Sequence, residues 1–273
     1  MKIHAIKTGD VLVKSAFLGS PATAGPLPYM ANIFLDRTRV RIPILAWVIE
    51  HPEGVIVVDT GEDPANKGNF ITQSRYDVAP EEAIGEQLKK LGVGKKDVSK
   101  VVLTHLHGDH KDGVKDFLNT PIWVSEREYN LSPSANSKFF TGLGLQTPTL
   151  FNFNAEQVGS FQSSISLTND GSVLAVPTPG HTAGHVSVIV MDSDVHYFIA
   201  GDVTYKERTL ISQTLEGPST EVESHRQTLR RVLDYVRQHP TVYLPSHDPA
   251  SAQRLAIKQT TATTALQVDA VQV

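Results

Sequence analysis

The chain has 273 residues, of which 40% are hydrophobic, and a formal net charge of -4. This length favours one large domain over residues 1–273, and the charge, without any long run of Lys or Arg, argues against a nucleic-acid partner. The absence of cysteine excludes disulfides and thiolate metal sites, so any metal must be bound by imidazole and carboxylate groups.

The N-terminal sequence and the hydropathy of the chain bear on its location. The first residues, MKIHAIKTGD, contain no apolar segment after the lysine that would mark a secretory signal. No uncharged stretch approaches the roughly 20 apolar residues that a membrane-spanning helix needs. We therefore expect a cytoplasmic protein that does not bind a membrane.

Short apolar runs alternate with helical patterns in the first half of the chain. Strands are predicted at 43–51 and 54–61, joined by the turn HPEG. Segment 80–92 predicts a helix, because a proline stands in its first turn and its apolar residues recur at helical spacing. The almost wholly apolar run 100–105 predicts a strand that is buried on both faces.

The middle of the chain is less regular. A helix is predicted to start near Asp112, and segment 121–125 predicts a further strand. Ser125 and Glu128 then form the capping-box pattern of a short helix. Residues 131–170 are rich in Ser, Asn, Thr and Gly, and they predict loops with one or two strands.

Strand patterns resume in the second half. Segment 219–240 predicts the clearest helix, which a capping box of Thr220 and Glu223 would begin and a proline would end. A short helix follows the last strand, and the low-complexity tail within 256–273 predicts loose attachment. The predicted strands are 172–178, 185–191, 195–202 and 241–248. Since both halves mix strands and helices, we expect sheets packed face to face with helices outside, in the α/β or α+β class.

A cluster of metal-binding residue types follows strand 100–105. His105, His107, Asp109 and His110 lie within six residues of the chain. Because a turn leaving a strand can point alternate residues the same way, the first two histidines can bind one metal, while the last two residues can reach a second. A solvated His-rich loop is the alternative, but such loops are usually irregular and terminal. Imidazole and carboxylate groups suit zinc, and also iron, manganese or cobalt.

Three further residues complete this set. His181 in TPGHTAGH, Asp202 in IAGD and His247 in LPSHD each stand just past an apolar run. A lone His or Asp at a strand end is more often a turn residue, but three such residues together with the first cluster predict a two-metal site. A carboxylate such as that of Asp202 can bridge the two cations.

These motifs resemble those of the metallo-β-lactamase superfamily. The shared features are HxHxDH at 105–110, TPGHTxGH around His181, an Asp in GD, and a final His after a strand. The resemblance runs from about Val55 to His247. It implies a four-layer αββα sandwich of the α/β (α+β) class, with the site at the sheet edges.

The resemblance also implies how the residues share the metals. Asp59 in VVDTG resembles the supporting aspartate of the superfamily. His185, the second His of TPGHTxGH, would make a supporting hydrogen bond and not bind metal. One metal would be bound by His105, His107 and His181, the other by Asp109, His110 and His247, with Asp202 between them. The histidines that match no motif are His4, His51, His196, His225 and His239.

Tyr205 narrows the resemblance to one family within the superfamily. A Tyr three residues after the bridging Asp202 resembles the quorum-quenching N-acyl homoserine lactonases, in which the phenol reaches the lactone carbonyl. The short segment after His247 also resembles that family. Gly108 departs from the pattern, because some of these lactonases carry an aromatic residue there. Packing of a strand-end tyrosine on its neighbour is the alternative for Tyr205.

Other members of the superfamily are alternatives. Ribonuclease Z enzymes also carry HxHGDH, but their motif continues in a Gly-Leu-Pro-Gly-type segment, whereas here it continues in KDGVKDFLN. Glyoxalase II has a helical C-terminal domain, and a β-lactamase would carry a signal peptide. Organophosphate hydrolases, other lactonases and a non-catalytic metal-binding scaffold stay open.

The predicted reaction is hydrolysis of the lactone ring. Two divalent cations, zinc first, would share a water and lower its pKa, so that a bridging hydroxide attacks the carbonyl carbon. One metal and the Tyr205 phenol would stabilise the oxyanion, and Asp109 would shuttle the proton. A small-molecule lactone is thus the expected partner, and a homodimer is left open. Apolar loop residues are candidates for an acyl groove: 26–30, Phe34, Phe70, Ile71, Phe139 and Phe140.

Overall fold

Two β-sheets form the framework of the computed structural model, which describes residues 1–19, 26–68, 73–154 and 157–262. The strands are β1 (Lys2–Lys14), β2 (Arg39–His51), β3 (Gly54–Val58), β4 (Arg75–Asp77), β5 (Val98–Val102), β6 (Ile122–Ser125), β7 (Thr149–Phe151), β8 (Ile165–Ser166), β9 (Val173–Pro177), β10 (Val186–Met191), β11 (His196–Gly201) and β12 (Thr241–Pro245). The helices are α1 (Ser15–Gly19), α2 (Pro26–Leu35), α3 (Ile84–Lys90), α4 (Gly108–Lys111), α5 (Glu126–Tyr129), α6 (Pro133–Gly142), α7 (Glu207–Ile211), α8 (Val222–Gln238) and α9 (Ser251–Ala256).

Both sheets mix parallel and antiparallel pairs. The larger sheet has the order β4-β1-β2-β3-β5-β6-β7, and the smaller has the order β12-β11-β10-β9-β8. Strand β2 pairs antiparallel with β1 and, through a short turn, with β3, whereas β3, β5, β6 and β7 are parallel. In the smaller sheet only β11 and β12 are parallel.

The main core lies between the two sheets. Trp47 and Val58 of the larger sheet belong to one apolar cluster with Val188, Ile199 and Leu244 of the smaller sheet. All five side chains are fully buried. Burial of this continuous apolar surface is the main force that holds the sheets face to face.

Helices cover the outer faces. Ile84 and Leu88 of α3 pack on the outer side of the larger sheet, and Leu229 and Val232 of α8 pack on that of the smaller sheet. The four-layer αββα sandwich is therefore confirmed. Helix α8, with 17 residues, is polar on its other face. Across the described residues, no helix combines the length and the apolar character needed to cross a membrane.

The prediction of loops over 131–170 is wrong for the helix α6. Pro133 stands at its first turn, where proline is favoured. Phe140 is buried in the cluster beneath the larger sheet, so tertiary packing stabilises a helix whose Ser and Asn residues form helices poorly. The two predicted strands of this region are present as β7 and β8.

The predicted capping boxes are only partly formed. At α5 the Ser125 hydroxyl accepts the Glu128 N–H, but the Glu128 carboxylate turns away to other partners. At α8 the prediction is wrong, because the N-cap is Glu221 and makes no side-chain cap bond. Thr220 instead directs its N–H and hydroxyl to the Gly180 carbonyl, and this contact ties the helix start to a site loop.

Three other boundaries differ from the predictions. The helix at 80–92 opens as a 3-10 turn, Pro80–Glu82, and α3 begins only after an extended Ala83. The helix expected near Asp112 begins earlier, as α4, and continues as a 3-10 helix. The tail is not loose as far as residue 262, because Thr261 bonds Thr241 and Glu207; residues 263–273 lie outside the described part.

The carboxyl ends of five strands meet at one edge of the sandwich. Strands β3 and β5 are parallel, as are β11 and β12, and β9 runs in the direction of β11 because both are antiparallel to β10. Backbone hydrogen bonds join the two sheets at this edge, from Val186 N–H to the Thr104 carbonyl and from Leu45 N–H to the Ser246 carbonyl. Loops that leave these strand ends are thereby brought together.

Candidate metal centre

All seven predicted metal-binding residues lie at this edge. Two parallel strands of the larger sheet, β3 and β5, end beside three strands of the smaller sheet, β9, β11 and β12. The loops after β5, β9, β11 and β12 contribute the cluster residues, although these come from distant parts of the chain, and the loop after β3 contributes the supporting Asp59. The residues of the cluster are His105, His107, Asp109, His110, His181, Asp202 and His247.

The first group contains three imidazoles. His107 Nδ1 lies 3.0 Å from His105 Nε2 and 2.9 Å from His181 Nε2. Burial lowers the pKa of His105 and of His181 well below the ordinary range, which favours neutral rings with a free lone pair. Three neutral imidazole nitrogens that face one point can hold a divalent cation.

The second group combines a carboxylate with two imidazoles. Asp109 Oδ2 lies 3.5 Å from His247 Nε2, and the ligand-type atoms of Asp109, His110 and His247 are all within 4.8 Å of one another. His110 and His247 are buried, while Asp109 is partly exposed. This set offers one more negative charge than the three-histidine group.

Asp202 lies between the two groups. Its Oδ1 is 3.2 Å from His110 Nε2 and 3.3 Å from His247 Nε2. Its Oδ2 is 3.3 Å from His181 Nε2 and 4.0 Å from His105 Nε2. One carboxylate oxygen therefore faces each group, which is the arrangement expected of a bridging ligand.

Hydrogen bonds behind the cluster fix the orientation of the rings. Asp59 accepts from the Thr104 N–H and hydroxyl and binds His110 Nδ1 at 2.8 Å. His181 Nδ1 donates to the Pro218 carbonyl, and His247 Nδ1 donates to the Pro43 carbonyl. Because one nitrogen of these rings is held from outside, the other is directed into the cluster. Asp59 adopts a left-handed φ of 59°, a conformation that aspartate tolerates better than most residues.

The cluster fits divalent metal ions. His110 Nε2 and Asp202 Oδ1 are buried and make no hydrogen bond, and such atoms are costly to bury without a partner. Imidazole and carboxylate donors suit zinc, iron, manganese and cobalt. Two cations would satisfy both atoms and offset the mutual repulsion of carboxylates at the centre. The donor set is thus what the motifs predicted for two neighbouring cations.

His185 lies behind the centre. Its Nε2 accepts the Asp202 backbone N–H at 3.0 Å, and its Nδ1 bonds the Thr178 hydroxyl at 2.9 Å. Both ring nitrogens are therefore engaged within the protein. Burial lowers the pKa of His185 to about 3, so the ring is neutral and Nε2 is an acceptor. The position agrees with a supporting role for His185.

Replacing His185 with alanine is expected to leave most of the metal bound and to lower the catalytic rate by roughly 10- to 100-fold. The change leaves the buried Asp202 N–H without its acceptor, so the Asp202 carboxylate is held less firmly, but no predicted ligand is removed. Metal content by mass spectrometry and steady-state kinetics measure both effects. His181→Ala is the comparison, and a His185→Ala protein that loses metal as completely would place His185 among the ligands.

Tyr205 is buried against the centre. Its ring is 5.1 Å from that of His247 and 6.3 Å from that of His181, and it stacks on Phe17. The residue lines the same cavity as five of the seven cluster residues: His107, Asp109, His181, Asp202 and His247. The Glu216 carboxylate accepts the Tyr205 N–H. The predicted juxtaposition of Tyr205 with the cluster is thus present.

The segment 216–218 supports the site and was not predicted. A Cβ on Gly217 would lie 2.7 Å from the Tyr205 hydroxyl oxygen, so only glycine lets the chain pass the phenol this closely. Gly217 also has a left-handed φ of 67°. The Pro218 carbonyl next to it binds His181. No sequence signal pointed to these contacts, because Glu-Gly-Pro is also an ordinary turn sequence.

Gly108 leaves room for two acidic residues. A Cβ built on Gly108 would lie 3.0 Å from Glu62 Oε2 and 3.2 Å from Asp112 Oδ2. Burial and the neighbouring Asp112 carboxylate raise the pKa of Glu62 to about 8. A larger side chain at position 108 would therefore have to displace this pair of carboxyl groups.

The cavity beside the centre has a volume of about 290 Å³ and a mixed lining. Tyr76 is one of its polar residues, and the Asp109 carboxylate and burial raise the pKa of this phenol, which keeps it neutral. Among the described residues that line the cavity, none is Lys or Arg. Its apolar wall consists of Val11, Val13, Phe17, Ile33 and Ile42.

The predicted groove residues do not form this wall where they are described. Phe140 is buried in the core under the larger sheet, Phe139 packs against that core, and Phe34 is exposed. The prediction is therefore wrong for these residues. Phe70, Ile71 and the side chains of 26–30 lie outside the described part. The true wall comes mainly from the N-terminal strands β1 and β2, whose buried side chains sequence periodicity alone could not assign to the site.

The chain is similar to known proteins over most of its length. The family model described as the metallo-beta-lactamase superfamily matches residues 39–247. An N-acyl homoserine lactonase from Bacillus sp is 28% identical over 197 residues, which are 69% of this chain and 70% of the relative. The probable metallo-hydrolase Rv2300c of Mycobacterium tuberculosis is 28% identical over 227 residues, 74% of this chain and 73% of the relative.

A further curated relative and two solved structures are similar over most of the chain. The N-acyl homoserine lactonase AttM of Agrobacterium fabrum is 26% identical, covering 76% of this chain and 82% of the relative. A quorum-quenching N-acyl homoserine lactone hydrolase superposes with a TM-score of 0.71 at 20% identity, covering 91% and 92% of the chains. AidC, described as a dizinc quorum-quenching lactonase, has a TM-score of 0.61 at 18% identity, covering 91% and 90%.

Proposed function

The chain belongs to the metallo-β-lactamase superfamily, as its motifs predicted, and from that premise we propose that it opens the ring of N-acyl homoserine lactones with two divalent metal ions. The observation that carries the proposal is one cavity on which the metal-binding cluster, the Tyr205 phenol and an apolar wall meet. Relatives named N-acyl homoserine lactonases, at 26–28% identity, support the same substrate class.

The two groups of side chains would each hold one cation. The cations would be held by the three-histidine group and by the Asp109, His110 and His247 group, with Asp202 between them. When bound, they supply Lewis acidity for the lactone carbonyl and lower the pKa of a water molecule. Zinc would be the first candidate, because imidazole and carboxylate ligands are typical of it.

Tyr205 and Asp109 would act on the lactone directly. The Tyr205 O–H donates a hydrogen bond to the carbonyl oxygen as negative charge grows there. Asp109, partly exposed on the cavity, accepts the proton released by the attacking water. When the ring C–O bond breaks, the same carboxyl group returns the proton to the leaving alkoxide, and the products are an alcohol and a carboxylic acid, which ionises to the carboxylate and releases a proton to the solvent.

The apolar wall would bind the acyl tail. Val11, Val13, Ile33 and Ile42 line the cavity, and Phe17 stacks on Tyr205. Burial of a methylene chain against this wall would contribute about 0.8 kcal/mol of favourable transfer free energy for each CH₂ group. The wall begins beside the phenol, so the tail would extend from a lactone ring seated on the metal cluster.

The cavity disfavours a phosphodiester. A phosphodiester is already anionic and is best recognised by Arg or Lys, neither of which lines the described cavity. The hydroxyl groups of Tyr205 and Tyr76 on the cavity suit a neutral carbonyl group better. We therefore propose the lactone as substrate ahead of an RNA precursor or a phosphodiester.

A substrate panel tests the proposal. The zinc- and cobalt-loaded protein is assayed by pH-stat with N-acyl homoserine lactones of several chain lengths, and with bis(p-nitrophenyl) phosphate in parallel. We expect lactone opening to be much the faster reaction and to stop when the metal is removed by chelation. Efficient phosphodiester cleavage without lactone opening would assign the chain to another branch of the superfamily. Metal binding with no turnover of either class would favour a non-catalytic scaffold.

A further inference from the structure

Glu128 connects the two loops that carry the three-histidine group. The residue lies on α5, is only 4% exposed and is outside the metal-binding cluster. Its Oε1 accepts the backbone N–H of Leu106, which stands between His105 and His107. Its Oε2 accepts the Thr182 hydroxyl at 2.7 Å and the Gly184 N–H at 3.2 Å. One carboxylate therefore holds both loops.

The contact is close and specific. A Cβ on Gly184 would overlap the backbone nitrogen of Glu128, so the second loop can lie on α5 only because residue 184 is glycine. Ser125 strengthens the contact, because its hydroxyl donates to the Gly184 carbonyl and accepts the Glu128 N–H. The start of α5 is thus built around the loop that carries His181.

Both loops that Glu128 holds carry residues of the three-histidine group. His105 and His107 flank Leu106, and His181 precedes Thr182. The residues of the other group are oriented differently, since His110 is held by Asp59 and His247 by the Pro43 carbonyl. Loosening the Glu128 contact would therefore shift the two loops of the three-histidine group relative to each other and leave the second group largely in place.

We infer that Glu128 is a positioning residue that sets the spacing of His105, His107 and His181, and so selectively maintains metal affinity at the three-histidine group. The inference rests on the two-metal centre proposed above but not on the identity of the substrate. Only a carboxylate offers acceptors to all three donors, because an amide in its place would direct an N–H₂ group at one of them. The side chain must also span both loops, which aspartate is one methylene too short to do.

Cobalt binding tests the inference without reference to catalysis. The metal-free full chain and its Glu128→Gln variant are titrated with Co²⁺ alone, and affinity is measured by chelator competition and visible absorption. We expect two cobalt ions per wild-type chain. In the variant, one ion should bind with nearly unchanged affinity and the other about 10- to 100-fold more weakly. Anomalous scattering from crystals with one equivalent of cobalt should then locate the ion at Asp109, His110 and His247.

Three variants control for a general loss of structure. Thr182→Val removes one donor and should weaken the same cobalt ion by less, while Glu128→Asp should not restore it. Glu53→Gln alters a different glutamate that joins two loops, because Glu53 accepts the backbone and side-chain N–H groups of Asn169 at the amino end of β3, and should leave both cobalt affinities unchanged. Circular dichroism and thermal unfolding of the metal-free proteins monitor the fold.

Two results would overturn the inference: unchanged binding of both ions in Glu128→Gln, or equal weakening of both. A wild-type chain that binds two cobalt ions but opens no lactone would refute the proposed substrate, whereas selective loss of one ion in Glu128→Gln would still support the role of Glu128. The two proposals therefore fail separately.

Discussion

The His110→Ala protein is expected to bind one metal ion fewer than the wild-type chain, which should bind close to two, and to lose about a thousand-fold or more of its activity. His110 Nε2 is one of the two buried cluster atoms that make no hydrogen bond, and it faces Asp202 Oδ1 at 3.2 Å. Its other nitrogen is fixed by Asp59. Removing the ring takes one ligand from the group of Asp109, His110 and His247. It also leaves the buried Asp59 carboxylate with one hydrogen-bond partner fewer.

The size of the effect follows from the chemistry that the second cation supplies. Loss of that cation removes several kcal/mol of charge stabilisation from the transition state, and each 1.36 kcal/mol is a factor of ten in rate. His107→Ala should behave in the same way at the other group. Metal content is measured by plasma mass spectrometry, and activity by pH-stat.

The matched control is a histidine outside the cluster. His4 of β1 pairs with Glu50 of β2 and belongs neither to the cluster nor to the lining of its cavity, so His4→Ala should keep both metals and full activity. A fully active His110→Ala protein with unchanged metal content would refute the binuclear assignment. Loss of metal in His4→Ala as well would point to a general loss of structure.

The Tyr205→Phe protein is expected to show a kcat lowered by roughly 10- to 1,000-fold, with its metal content unchanged. The substitution removes only the hydroxyl and keeps the ring that packs on Phe17, His181 and His247. If the phenol donates to the carbonyl oxygen chiefly in the transition state, its loss lowers kcat more than it changes KM. Kinetics with one lactone, together with metal analysis, separate these quantities.

Tyr235→Phe is the control for removing a buried phenol hydroxyl. Tyr235 lies on α8, and its hydroxyl bonds His196 at 2.8 Å, away from the cavity. This variant should lose about 1 kcal/mol of folding stability and keep its kcat. If Tyr205→Phe opens lactones at the wild-type rate, the substrate class would stand but Tyr205 would have no part in stabilising the oxyanion.

Local sequence patterns predicted the residues of the site because metal binding demands particular side chains. Only imidazole and carboxylate were available without cysteine, and the spacing of His105, His107, Asp109 and His110 after an apolar strand is rare unless it binds metal. The apolar runs before His181, Asp202 and His247 likewise marked strand ends. These features are encoded over a few consecutive residues, so they can be read without knowing the fold.

The sequence by itself determined the layered fold, the cluster and the position of Tyr205, but only the tertiary structure decided how they are supported and what surrounds them. Helix α6 forms because Phe140 is buried, and the cavity wall is made by Val11 and Ile42 of strands far from the motifs along the chain. The contacts of Glu128 and of Pro218 depend on which loops meet at one edge. Such contacts join residues that are distant in sequence. Chain topology and packing decide which residues meet, so these contacts cannot be predicted from local periodicity.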